Sequence, residues 1–112
     1  MSSTTIEAGL SEKALLVHRA LASLQEELEA VDYYNQRSDV SQDESLKAIL
    51  DHNRDDEMEH AIMLLEWVRR QSPEMDVQMR KILFQPGSIV DLAKGRSPSP
   101  NDALGLGLGN LK

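Results

Sequence analysis

The sequence predicts an all-α protein: an antiparallel two-helix hairpin plus a short third helix, two copies of which close into a four-helix bundle. Three observations lead there. Two long stretches contain no glycine or proline and repeat their apolar residues at steps of three and four, the period of one helix face. Serine-led start signals and proline or glycine stops punctuate the chain between them. Finally, a hairpin has one apolar face and nothing to lay it against, and a chain of 112 residues builds only a marginal core from such elements. Pairing with a second copy is the simplest remedy.

The first helix is expected from about Ser11 to Arg37, with Ser11 as N-cap and Ala14, Val17, Leu21, Leu24, Leu28 and Val31 on its buried face. The run Ser38-Asp39-Val40 breaks that pattern. Ser41-Gln42-Asp43-Glu44 has the serine-to-glutamate spacing of a capping box and should open the second helix. Leu46, Ile49, Leu50, Ala61, Leu64 and Val68 mark its buried face, and Arg69-Arg70 suit the negative end of its dipole. Ser72-Pro73 starts a third helix, with serine as cap and proline in the first turn, running to about Phe84 before Gln85-Pro86-Gly87 stops it. Ser88 to Lys94 adds one more turn. The domain reading is therefore a flexible N-terminus over 1–10, a helical half-bundle over 11–94 and a flexible tail over 95–112, where four of the six glycines collect.

Composition narrows the function. No stretch approaches the ~18 apolar residues of a membrane span, and Met1 to Gly9 lacks the basic and apolar regions of a secretory signal, so a cytoplasmic location is expected. The absence of cysteine removes disulfides, thiolate metal sites and cysteine nucleophiles, leaving oxygen and imidazole nitrogen to hold any metal. A net charge of −7 is wrong for nucleic acid and suits a protein that attracts cations. Neither a glycine-rich phosphate loop nor a Ser/His/Asp arrangement is evident.

The informative residues interrupt the apolar stripes. On the second helix the face reads Leu46, Leu50, Asn53, Glu57, His60, Leu64, so a carboxylate and an imidazole, three residues apart and on one side, sit between apolar turns. Burying them is costly unless something binds them. On the first helix Glu27 stands at helical spacing among Ser23, Leu24, Ala30 and Val31. Two copies would assemble four carboxylates and two imidazoles, the ligand set of ferritin-like di-metal bundles: one Glu from each of two helices and Glu-x-x-His from each of the others. Four carboxylates neutralise two divalent cations. Oxygen and imidazole ligands suit iron and manganese, and zinc would also bind. Glu26, Glu29 and Asp56 lie near the same turns; a solvated acidic face accounts for them, and a cation access path is the alternative. Tyr34, seven residues after Glu27, either packs or supports the metals. His18 and His52 read as surface or core-edge residues, and Met58, Met63 and Trp67 as packing groups.

The runs Glu26-Glu27-Leu28-Glu29-Ala30-Val31-Asp32-Tyr33-Tyr34 and His52-Asn53-Arg54-Asp55-Asp56-Glu57-Met58-Glu59-His60-Ala61, followed by Leu64-Leu65-Glu66-Trp67, resemble the encapsulated ferritins over roughly residues 10 to 90. The tail Leu104-Gly105-Leu106-Gly107-Leu108-Gly109-Asn110-Leu111-Lys112 is similar to the cargo peptides that dock inside encapsulin shells, its alternating leucines suited to apolar pockets. The resemblance implies a ferroxidase that oxidises Fe(II) with dioxygen at an inter-subunit di-iron site. It also implies a ring-shaped decamer of five dimers and iron delivered for storage inside an encapsulin nanocompartment. It places the ligands on Glu27, Glu57 and His60, a nearby tyrosine on Tyr34, and acidic access residues on Glu26 and Glu29. Tyr33 departs from relatives that carry tryptophan there. A non-catalytic clamp holding zinc or manganese, or a helical adaptor docked in a shell without metal, remains open from the residues alone.

Overall fold

The structure, a computed structural model, describes residues 7–96. Four helices and no strand occur among them: α1 Glu12–Val40, α2 Glu44–Gln71, α3 Pro73–Ile82 and α4 Ile89–Ala93. They form two compact units, one running to Gln71 and the other starting at Ser72. The tail expected to carry a cargo peptide, 97–112, lies outside the described residues.

In the first unit α1 packs antiparallel against α2. Ser11 caps α1 as expected, its side chain accepting from the Ala14 N–H at 3.1 Å. Two expectations at the turn need correction. α1 does not break at Ser38; it continues to Val40, because Ser38 is buried and its polar groups are satisfied across the hairpin. Its hydroxyl donates to Asp51 Oδ1, while Lys47 Nζ donates to its carbonyl at 2.8 Å and to its hydroxyl oxygen at 3.0 Å. Likewise Asp43, not Ser41, caps α2: its carboxylate accepts from the Leu46 N–H at 2.8 Å, and Ser41 ends α1 instead. The Ser45 hydroxyl, also donating to Asp43 at 2.7 Å, and then the Leu46 N–H hold the Asp43 carboxyl below its ordinary range.

The contact between the helices follows an alternating three-and-four spacing. Val17, Ala20, Leu24, Glu27, Val31, Tyr34 and Ser38 on α1, and Lys47, Leu50, Arg54, Glu57, Ala61, Leu64 and Val68 on α2, are all buried or half-buried. This is the seam of a coiled coil, and its most buried positions are Ala20, Ser38, Ala61 and Val68. The residues one step to its side behave differently from the sequence expectation. Leu21, Leu28, Leu46 and Ile49, taken as core, are 37%, 53%, 50% and 57% exposed. A hairpin buries one strip per helix, and these four residues flank that strip.

In the second unit Ser72 caps α3 by accepting from the Met75 N–H at 3.1 Å, with Pro73 opening the helix. α3 stops at Ile82, two residues short of Phe84. Phe84 takes a left-handed φ of 60° and is fully exposed, a position where a side chain costs roughly 1–2 kcal/mol. Ser88 caps the single turn of α4, whose Leu92 is buried.

Candidate metal centre

Glu27 on α1 and Glu57 on α2 both occupy seam positions, and they stand about equally far from the connecting turn, so an antiparallel hairpin brings them level. With the boundaries expected from sequence, α1 ending at about Arg37 and α2 opening at Ser41, Glu27 would stand nearer the turn than Glu57 and their alignment within one chain would be left open. With α1 complete to Val40 the two carboxylates meet within one chain, and no second copy is required for that match. Their side chains are 26% and 24% exposed. His60, one turn beyond Glu57, leans across both: its Nδ1 is 3.6 Å from Glu27 Oε2 and 3.6 Å from Glu57 Oε2. One donor atom from each of the three lies within 4.8 Å of the others.

Bonds of ~2.0–2.2 Å place adjacent ligands on a first-row divalent cation roughly 3 Å apart. The trio therefore needs only small side-chain adjustments to chelate one cation, and its two carboxylates match a divalent charge. Two oxygens and one imidazole nitrogen suit Fe(II) or Mn(II), and leave positions open for water, dioxygen or a second metal. No other group of three or more His, Asp or Glu residues converges in this way among the described residues.

His60 side chain is half exposed, and it belongs to a stripe beside the seam, where Leu46, Asn53, His60 and Trp67 follow at seven-residue intervals. Leu46 is 50% and Trp67 38% exposed. The open side of the candidate centre thus lies on a partly apolar surface. The other predicted site residues fall around it. Tyr34 is half-buried in the seam, two turns from Glu27. Glu26 and Glu29 are exposed on α1, apart from the trio. Asp56, taken with them as acidic surface, pairs with His52 at 3.3 Å, a partner that sequence reading did not assign to His52 although their four-residue spacing carried the signal.

Further along α2, Glu66 is gripped by Arg69 (2.7 Å) and Arg70 (2.8 Å). Those hydrogen bonds, Arg69 first, pull its carboxyl down to about 2.

Comparison with known proteins follows the same residues. Residues 3–86 match the EncFtn-like family. The chain is 44% identical to an encapsulated ferritin-like protein of Rhodospirillum rubrum, over 88% of this chain and 80% of that one. It is 48% identical to a ferritin-like protein of Thermotoga maritima, over 83% of this chain and 82% of that one. The crystal structure of protein ne0167 from Nitrosomonas europaea superposes with a TM-score of 0.72 at 52% identity, covering 76% of this chain and 96% of that chain.

Proposed function

The chain belongs to the EncFtn-like family of encapsulated ferritins, and on that premise we propose that it is a ferroxidase whose substrate is Fe(II). The observation that carries the reading is the convergence of Glu27, Glu57 and His60 from two helices. Each chain contributes half a centre. Two copies meeting across the stripe of Leu46, His60 and Trp67 would cover its exposed apolar residues and place two such trios face to face. The four carboxylates then balance two Fe(II) ions, and the imidazoles complete the donor set.

Chemistry at such a centre is the transfer of one electron from each Fe(II) to a shared dioxygen, which with two protons gives two Fe(III) and hydrogen peroxide. The side chains of Glu27, Glu57 and His60 hold the substrate irons at fixed separation and compensate their charge, and the added charge of the ferric state is met by hydroxide or oxide. Glu26 and Glu29 lie on the acidic surface by which Fe(II) approaches. Tyr34, two turns from Glu27 in the seam, supports the centre from beyond the ligands. Assembly continues from dimers to a ring of five, and the tail Leu104–Lys112 docks the ring inside an encapsulin shell where ferric product is stored. The resemblance of that tail to cargo peptides and the name of the Rhodospirillum rubrum relative support this last step.

Oxygen uptake tests the proposal. Fe(II) added to the full-length protein in air should consume one dioxygen for every two irons, at a rate far above protein-free oxidation. Tight binding of Zn(II) or Mn(II) with no accelerated oxygen uptake would replace the ferroxidase by a metal clamp; no metal binding at all would leave a shell adaptor.

A further inference from the structure

We propose that Phe84 is an interaction anchor, which seats on α2 of a second copy of this chain in the groove lined by Met58, Ile62, Met63 and Trp67. The inference rests on the reading that chains assemble beyond the dimer, and not on the iron chemistry. Phe84 is the single phenylalanine of the chain. It is fully exposed, and among the described residues it is the only non-glycine residue with a positive φ. It follows Leu83, the C-cap of α3, and a left-handed residue at that place is usually glycine. An aromatic ring there is unfavourable twice over, through its backbone and through its contact with water. The turn nevertheless holds it fast. The Leu83 N–H donates to the Met79 carbonyl at 2.8 Å, and the Gln85 amide donates to the Arg80 carbonyl at 3.3 Å, one on each side of the ring. A strained residue fixed by its neighbours points to a use outside its own turn. An aromatic side chain already set in position also loses little freedom on binding, which is what an interface anchor requires.

On α2 the chain offers a surface of complementary chemistry. The groove has a volume of about 640 Å³, and Glu59, Glu66 and Arg70 edge it. Ile62 and Met63 within it are 62% and 65% exposed. It has room for a ring, and thioether sulfur makes favourable contacts with aromatic edges. The charges also match. Lys81 is exposed three residues before Phe84, and Glu59 is exposed on the edge of the groove; Glu66 is already held by Arg69 and Arg70. Trp67 belongs both to the groove and to the stripe that carries His60, so the groove is continuous with the face assigned to the dimer. Ile62 stands two residues from His60 and faces away from it, so a dimer formed across His60 leaves the groove open to a third chain. Because anchor and groove are different surfaces, the contact is head-to-tail. Such a contact passes from dimer to dimer and ends only when the assembly closes into a ring.

The chain contains no cysteine, so introduced thiols report on this contact alone. Full-length Met63→Cys and Phe84→Cys chains, carrying different isotopic masses, are co-assembled and treated with a short bismaleimide that spans the space left by the ring. The two variants should be joined to each other several-fold more often than either is joined to itself. Phe84→Gly removes the anchor and relieves the backbone, so it separates recognition from folding. The dilute variant should keep its helix content, unfold no earlier than wild type and bind Zn(II) as before. Native mass spectrometry should nevertheless show its assemblies shifted several-fold toward the dimer. Mixed links no more frequent than self-links overturn the proposal, as do links confined to single chains of the Met63→Cys/Phe84→Cys double variant. Equal assembly by wild type and Phe84→Gly overturns it too, while leaving assembly beyond the dimer intact. A wild type that never passes the dimer is a distinct result: it removes that reading and the proposal together.

Discussion

Replacing Glu27 by glutamine should make the metal-free protein more stable and the metal-loaded protein less so. The donor oxygens of Glu27 and Glu57 lie within 4.8 Å of each other. Two unit charges at that separation repel by about 3 kcal/mol at an effective dielectric constant of ~20. Both carboxylates are about a quarter exposed, so water screens part of this, and losing the contact with His60, 3.6 Å from Glu27, offsets more; a net gain of about 1–2 kcal/mol is expected from Glu27→Gln, which keeps the shape and removes the charge. For a domain of this size that raises the midpoint of unfolding by roughly 5–15 °C. Excess divalent cation reverses the order. A site occupied at a ligand concentration 100 times its dissociation constant adds ~2.7 kcal/mol to the wild type, most of which the glutamine variant forgoes. The assay is thermal unfolding followed by far-ultraviolet circular dichroism at fixed protein concentration, with and without a redox-inert cation such as Zn(II). A metal-free variant no more stable than wild type, or a cation that raises both midpoints equally, would refute the account of Glu27 and Glu57 as repelling partners awaiting a cation.

Three further outcomes follow from the geometry. Ala61, 3% exposed in the seam one turn from Glu57, has no room for a larger side chain; Ala61→Leu should cost about 1–3 kcal/mol by overpacking and weaken Zn(II) binding measured by calorimetry. Ser72→Ala removes the acceptor for the Met75 N–H and should lower stability by about 1 kcal/mol, read by urea unfolding. The Glu66 carboxyl, held down to about 2 from an ordinary 4.5, should titrate there by NMR and move upward in Arg69→Ala; the sign follows from a depressed folded value, so the contribution of its ion pairs is present above about 4.5 and disappears as pH falls through about 2.

Helix count, the caps of α1 and α3 and the Glu57/His60 pair were legible in the sequence because each rests on local spacing. Ser11 and Ser72 cap their helices through bonds only three residues long. What was misread depends on contacts across the hairpin. Ser38 looked like a helix break, since serine and aspartate favour turns, but bonds to Lys47 and Asp51 hold it in the helix. That error shortened α1 and left the alignment of Glu27 open. The buried face was also half misjudged. Counting apolar residues merges the seam with the flank that holds Leu21 and Leu28, and passes over Ala20, Glu27 and Tyr34, which occupy seam positions without being strongly apolar. That these flanks stay exposed on one chain becomes visible only once the fold shows what a hairpin can cover. Asp43 outranked Ser41 as the cap for a related reason: the capping-box spacing fits, and the backbone chose the nearer carboxylate.

The most direct test of the central claim is the rate of ferric absorbance after Fe(II) is added in air to wild type and to His60→Ala. His60 is the donor shared between the two carboxylates, 3.6 Å from each. The account predicts fast ferric formation in the wild type that collapses toward the protein-free rate in the variant. Equal rates in both proteins, whether fast or slow, would contradict a ferroxidase centre built on Glu27, Glu57 and His60.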